Sequence, residues 1–405
     1  MRRAPALVAV LVAAAAGAWF VARSYQQDFA AYWMAAWARL AGLDPYVNYA
    51  GQGHDIPLPW DGVAQFRHSR FLYPPLVVEL FRPLLGLPYL AAKALFTGAM
   101  LAAWIGAGLT VTRDRRERAV FFGLSALFFP FYRHLERGQI DLLILLLLAL
   151  AWRARESAWL AGAALAATAA LKPAFAGMLP VVWALGRARA ALAALAVGGA
   201  LVGVTALVDG PAALREYVTE VVPRASLYGE GGTEEMLLPS APVSVGRDDG
   251  MIDLDGRTYR LAIGDAPASA SIPRLLAPGT PTPTSARLPF ALAIAGLTLL
   301  ARLLRSGGDT PAETLLYWTV AVACVITSPA GWVMGLVLAL PLATHGVALA
   351  VRGRLPRGPV FIGAIAWIAL AVPQPFSGWA AAAASALLGA AVATATALRR
   401  GDVPA

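Results

Sequence analysis

Residues 23–75 read RSYQQDFAAYWMAAWARLAGLDPYVNYAGQGHDIPLPWDGVAQFRHSRFLYPP, a stretch that gathers carboxylates, histidines, arginines and tryptophans between two long apolar segments. A polar loop set between runs of that kind marks a membrane chain, with a large first external loop over residues 24–75. Asp28 comes directly after the first apolar run, which places it at the membrane surface, where a carboxylate can ionise and still meet a lipid-linked molecule. Phe29, Trp33, Trp37 and Leu40 recur at helical spacing with Arg39 off the stripe, so the pattern predicts a short helix lying flat at the interface. Gly42 ends that helix and Asp44-Pro45 opens a turn.

The rest of the composition agrees. The chain has 405 residues, 59% hydrophobic and 14% charged, with a mean hydropathy of +0.62. Soluble domains carry about a quarter charged residues. The formal net charge of +9 does not point to nucleic acid, because the arginines stand in twos and threes between apolar runs and read as topology signals. Lys93 and Lys172 are the only lysines among 33 basic residues. A single cysteine, Cys324, excludes an internal disulfide and a cysteine metal cluster. The apolar run from Pro5 to Ala22 continues through Trp19, Phe20 and Val21, which favours an uncleaved first helix over a signal peptide cut near Ala16 to Ala18.

Taken in order, the basic clusters set the topology. Leu76 to Leu85 is a short re-entrant or interfacial piece, and Tyr89 to Thr112 spans and ends in RDRRER, Arg113 to Arg118, which belongs inside and puts the first loop outside. Ala119 to Tyr132 crosses back to the external turn RHLERGQID, and Leu142 to Trp152 returns to Arg153 and Arg155. Ser157 to Leu171 runs out to Lys172-Pro173, and Phe175 to Leu185 returns to Arg187 and Arg189. Ala190 to Val208 leads to a second external loop, residues 209–287, in which MIDL and RTYRLAI flank Asp255-Gly256 as a hairpin signal. Later apolar runs bring the total to about twelve helices in one integral membrane domain, 1–405, an all-α polytopic bundle with a small external β-hairpin element.

With this topology polar groups collect on the outer face: Asp28, His54, His68, Arg70 and Tyr73 from the first loop; His134, Glu136, Arg137, Gln139 and Asp141 from the second turn; Lys172 from the third; Ser328 and Trp332 from the turn TSPAGW. Each also has a plainer reading. External loops are polar in any case. Asp28 reads equally as an active-site carboxylate or a helix cap, and Lys172 as a functional cation or a snorkelling lysine. Neither His54 nor His68 has a second ligand at helical spacing, so no metal site is expected.

The ordered set D-F-x-x-Y-W-x-A-A from Asp28, G-L-D-P-Y at Gly42 to Tyr46, F-L-Y-P-P-L at Phe71 to Leu76, G-Q-I-D at Gly138 to Asp141, L-K-P at Leu171 to Pro173 and S-P-A-G-W at Ser328 to Trp332 resembles the DUF2029 or GT87 glycosyltransferases. These are GT-C type membrane enzymes similar to the polyprenol-phosphate-mannose-dependent α-1,2-mannosyltransferases. The resemblance implies transfer of a hexose, mannose first among them, from a polyprenyl phosphate carrier to a hydroxyl of a membrane lipid or lipid-linked glycan. It implies inversion, and a multi-pass protein of the bacterial cytoplasmic membrane with its active site outside. The acidic residue after the first span, Asp28 here, is the implied general base. After S-P-x-x-W the family commonly continues with histidines, whereas this chain has Val333-Met334 and so departs on the acceptor side. Between residues 209 and 287 little of the family pattern is present beyond S-I-P-R-L-L at Ser271 to Leu276.

The residues suit that chemistry on their own terms. A polyprenyl phosphate is already a good leaving group, so such an enzyme needs a base for the acceptor hydroxyl, cations for the departing phosphate and aromatic surface for the sugar and prenyl chain. Asp28 serves as the base, Lys172, Arg70 and Arg274 as phosphate-binding residues, and Trp33, Tyr73, Gln139, Asp141 and Trp332 as sugar- or lipid-binding residues. No glycine loop for a nucleotide is visible, and the scheme calls for no cofactor and no metal. Rival readings are a polytopic transporter or flippase, an oligosaccharide polymerase or ligase using a diphosphate carrier, and a non-enzymatic scaffold. Release of polyprenyl phosphate from a lipid-linked hexose separates enzyme from carrier.

Overall fold

The computed structural model describes residues 4–46, 71–225, 251–254, 257–260, 269–276, 283–305, 310–355, 357–376 and 378–400. The first helices are α1 (Ala4–Arg23), α2 (Gln27–Leu40), α3 (Pro75–Phe81), α4 (Tyr89–Val111), α5 (Arg115–Ala126) and α6 (Phe129–Arg137). They are followed by α7 (Asp141–Arg153), α8 (Ala158–Leu171), α9 (Met178–Ala184), α10 (Ala188–Val208), α11 (Gly210–Glu216) and α12 (Val222–Ala225). After the strands β1 (Met251–Leu254) and β2 (Arg257–Arg260) come α13 (Ile272–Leu276), α14 (Pro283–Leu304), α15 (Pro311–Ile326), α16 (Ala339–Val351), α17 (Arg357–Ala371) and α18 (Trp379–Arg400). This is a polytopic helical membrane protein.

Among the described residues, six helical stretches are long and apolar enough to cross a membrane, against the total of about twelve that the hydropathy suggests. The difference lies in helix length. Helix α7 has 13 residues, α8 has 14, α9 has 7 and α15 has 16, so at about 1.5 Å per residue they fall short of a hydrocarbon core about 30 Å thick. Hydropathy counts apolar residues whether or not the backbone between them stays helical. At Pro173 it does not, and a 3₁₀ turn stands there instead.

Helix α15 forms the centre, with every residue from Ala312 to Ile326 buried. It packs on α18, α14, α16 and α9. The Tyr317 hydroxyl donates to the Leu148 carbonyl of α7 at 2.9 Å, and its ring stacks on Trp152. Helices α8 and α10 approach so closely that a Cβ on Gly162 would lie 2.6 Å from Ala193 Cβ, the small-residue contact expected where association gains little from expelling water.

Helix α2 is the helix expected over Phe29 to Leu40, but its aromatic stripe faces protein and not lipid. Residues Asp28 to Ala38 are all buried. Trp33 stacks on Tyr89 at 5.0 Å and meets Phe29 edge-on. Arg39 near its end pairs with Asp209 at 2.7 Å, and Gly42, at φ 74°, stops the chain as the sequence suggests. The aromatic stripe fills the protein interior.

The strands β1 and β2 are antiparallel, Met251 opposite Arg260 and Leu254 opposite Arg257. Strand β2 also pairs with the link between α1 and α2, where Tyr25 N–H donates to the Arg260 carbonyl at 2.9 Å. Lys93, fully buried, donates to the Ser24 carbonyl at 2.7 Å and lies 3.8 Å from the Tyr259 ring centroid. The hairpin is therefore clamped to the α1–α2 joint.

Helix α4 separates two polar ends. At its start the Tyr89 hydroxyl donates to the Tyr25 carbonyl at 2.6 Å, beside α2. Beyond its end, Asp114 caps α5 by accepting from Arg116 N–H at 2.7 Å and Glu117 N–H at 2.9 Å. Arg352 after α16 closes on Glu117 at 2.9 Å. Twenty-three helical residues keep these ends about 34 Å apart.

Candidate active site

The site begins at the α1–α2 joint. Gln26 holds a left-handed backbone, φ 57°, the sole non-glycine residue among those described to do so. Such a conformation persists where the surroundings over-determine it. Here Gln26 Nε2 donates to the Leu135 carbonyl at 2.9 Å and to Thr97 Oγ1 at 3.2 Å, while Ser24 Oγ donates to the Glu136 carbonyl at 2.8 Å. The joint is thus fixed to the last turn of α6. That helix ends at Gly138, φ 69°, where a Cβ would sit 2.7 Å from Phe29 Cβ. This contact sets the first turn of α2 directly against the GQID turn.

Asp28 and Gln139 meet there. Gln139 Nε2 donates to Asp28 Oδ2 at 2.8 Å, with both side chains buried. The N-cap position of α2 is Gln26 and has no side-chain cap bond, so Asp28 is not the cap. It stands one residue inside, in the first turn, where the helix dipole favours its charge. Gln139 Oε1 faces two phenols, Tyr32 at 3.0 Å and Tyr73 at 3.1 Å, whose hydroxyls are 2.7 Å apart. Burial pushes the Tyr73 phenol up to about 12, against the pull of Lys172. Burial, then the neighbouring Tyr73 and Asp28, also raises Tyr32. Both phenols keep their protons.

Asp141 opens α7 and Lys172 closes α8, where Pro173 cannot continue the helix. Lys172 Nζ meets Asp141 Oδ1 at 2.6 Å and lies 5.9 Å from the Tyr73 ring centroid. Burial draws the lysine pKa down, but the Asp141 carboxylate outweighs it and holds the ammonium above the ordinary lysine range. Lys172 is therefore an ion-paired cation and not a snorkelling one. His134, on α6, accepts from Leu142 N–H through Nε2 at 3.2 Å, which puts its proton on Nδ1. Burial lowers its pKa to about 3, against the pull of the Asp141 carboxylate.

Asp28, Tyr73, Gln139, Asp141 and Lys172, distant in sequence, thus form one connected polar cluster. Other residues singled out by sequence stand elsewhere. Trp33 is 2% exposed and packed among rings, a core position. Trp332 bridges to Ser269 in a short antiparallel contact, and Ser271, on the same strand-like segment, donates to the Ser328 carbonyl at 2.8 Å. That segment leads into α13, which carries the buried Arg274. Arg70, His54 and His68 lie outside the described residues. His134 is among the outer-face groups that the sequence offers, whereas Tyr32 and Gln26 are not. Tyr32 stands four residues after Asp28, on the same helical face, a signal that was available. The left-handed Gln26 leaves no comparable trace in composition or spacing.

A polytopic helical bundle with a buried carboxylate, an ion-paired lysine and hydroxyls at one end of its helices defines a membrane protein with a polar reaction or binding centre. Residues 71–329 match the model of glycosyltransferase family 87, more than half of the 405 residues, and the chain belongs to that family of glycosyltransferases. No curated protein matches it. The matched stretch includes Tyr73, Gln139, Asp141 and Lys172; Asp28 precedes it and is joined to it through Gln139.

Proposed function

We propose that this membrane glycosyltransferase moves a hexose, mannose in the first instance, from a polyprenyl phosphate carrier to a hydroxyl of a membrane lipid or lipid-linked glycan. The observation that carries the reading is the line Asp28, Gln139, Tyr73, Lys172. It sets a proton acceptor and a cation within one buried network, as the two ends of such a transfer require. The acceptor oxygen attacks the anomeric carbon while the bond from that carbon to the phosphate oxygen breaks, its electron pair leaving with the polyprenyl phosphate. Asp28 takes the acceptor proton. Attack from the face opposite the phosphate inverts the anomeric centre. Lys172, held by Asp141, neutralises the departing phosphate.

The cluster lies at the end of α4 opposite the basic Arg113 to Arg118 segment, which supports an active site on the outer side of the bacterial cytoplasmic membrane. The test is incubation of purified protein with polyprenyl-phosphate-mannose and a lipid acceptor extract, followed by mass spectrometry. Equimolar release of polyprenyl phosphate and gain of a hexose by the acceptor is the expected result. Unchanged carrier that has crossed the bilayer of a proteoliposome would support the flippase reading instead.

A further inference from the structure

We infer that Gln139 is a positioning residue for the Asp28 carboxylate, with its amide set by the shared hydroxyl pair Tyr32 and Tyr73. The inference rests on the reading of Asp28 as the base. An ionised carboxylate only accepts hydrogen bonds, so the Gln139 NH₂ must face it. The amide oxygen must then face the phenols, and each phenol can donate to it. Turning the amide over would set two oxygens 2.8 Å apart in a buried place.

Proton counting gives the arrangement its character. Tyr32, Tyr73 and Gln139 Oε1 make three short contacts, but the two hydroxyls hold two protons between them. One phenol donates to Oε1 and the other donates to the first phenol, or the roles reverse. Either hydroxyl alone is therefore enough to fix the amide. Fixing the amide fixes Asp28 Oδ2, and Oδ1 is left as the atom that takes the acceptor's proton. Gln139 is itself held, because it follows the left-handed Gly138 and its N–H donates to the His134 carbonyl at 3.3 Å. In this role Gln139 acts on the acceptor's proton through Asp28, and the sugar need not touch it.

Initial rates are measured for Gln139→Glu, Gln139→Leu, Tyr32→Phe, Tyr73→Phe, the double phenylalanine variant, Asp28→Asn and Asp28→Asn with Gln139→Leu. The donor is polyprenyl-phosphate-mannose or, where the parent prefers it, the corresponding glucose or galactose carrier. Gln139→Glu keeps the shape but turns an oxygen toward Asp28, so kcat should fall about ten- to a hundredfold with donor KM within about twofold. Each single phenylalanine should cost at most about tenfold, and the double should match Gln139→Leu. Removing Gln139 from the Asp28→Asn protein should cost nothing more. A raised donor KM with kcat kept would make Gln139 a sugar ligand and overturn the inference. So would independent, multiplicative effects of the two tyrosines together with an active Gln139→Glu. Asp28→Asn separates the two levels: if it is inactive while Gln139→Glu is active, positioning alone fails, and if it is active the base reading fails and takes this one with it.

Discussion

Lys172 Nζ lies 2.6 Å from Asp141 Oδ1, and of this pair the carboxylate is 1% exposed while the lysine side chain keeps 23%. The buried partner decides what a substitution means. Lys172→Met strands the Asp141 charge, which should cost about 3–5 kcal/mol of stability whatever the lysine does in catalysis. Adding Asp141→Asn removes that charge and should restore most of the stability. If Lys172 also holds the donor's phosphate, the double variant should still show donor use weakened about ten- to a hundredfold, the worth of a charge-assisted contact. Thermal unfolding in detergent and donor KM, measured on both variants, give the answer. A stable double variant with parental KM would reduce the pair to structure.

Gly138 carries the contact between α6 and α2. At φ 69°, with Phe29 Cβ 2.7 Å from where its own Cβ would stand, an alanine is strained twice. The left-handed backbone costs about 1–2 kcal/mol, and relief of the contact would move Gln139 away from Asp28. Gly138→Ala should therefore lose both melting temperature and transfer rate. Gly86→Ala, where nothing lies within 4 Å of the added atom, is the matched control. Equal behaviour of the two variants would dissociate this contact from the site.

His134 gives the acid side of the stability curve. Its pKa falls from 6.5 to about 3 in the folded protein, so between those values the unfolded chain binds a proton that the native chain refuses. Stability is whole above pH 6.5 and falls as the pH drops from there toward 3, by at most about 1.4 kcal/mol per pH unit from this group. Melting temperatures between pH 7 and pH 5 should decline less steeply for His134→Gln than for the parent. Parallel curves would show that the histidine does not titrate in this way.

How much of this the sequence carried depends on the range of the signal. Membrane character, the turn after Gly42 and the hairpin around Asp255-Gly256 all come from local composition and spacing, and all were legible. The fate of α2 was not. An apolar stripe with an arginine beside it looks the same whether it faces lipid or protein, and only the neighbours Tyr89 and Asp209 decide. Asp28, Gln139, Asp141 and Lys172 were each chosen from sequence as polar groups at one boundary. Their connection was not, because it depends on Gln26 in a left-handed conformation and on the approach of Gly138 to Phe29. Trp33 was chosen for its ring, and the ring is spent on packing.

The separation of the two polar ends by α4 makes the orientation testable. In a Cys324→Ala background, single cysteines replace Gly86, at the Asp28 end, and Arg354, near the Arg352–Glu117 pair. An impermeant thiol reagent should label position 86 in intact cells and position 354 only after permeabilisation. The opposite pattern would put the cluster on the inner side.

The central claim is that Asp28 accepts the acceptor's proton, and Asp28→Asn tests it most directly. Asparagine keeps the shape and can still meet the Gln139 side chain, but it cannot take up that proton. General base catalysis is worth about a hundred- to ten-thousandfold. The decisive measurement is the initial rate of hexose transfer by purified Asp28→Asn, with donor binding measured on the same sample. The account predicts a rate at least about a hundredfold below the parent with donor binding retained. A variant that transfers sugar within about threefold of the parent would contradict it.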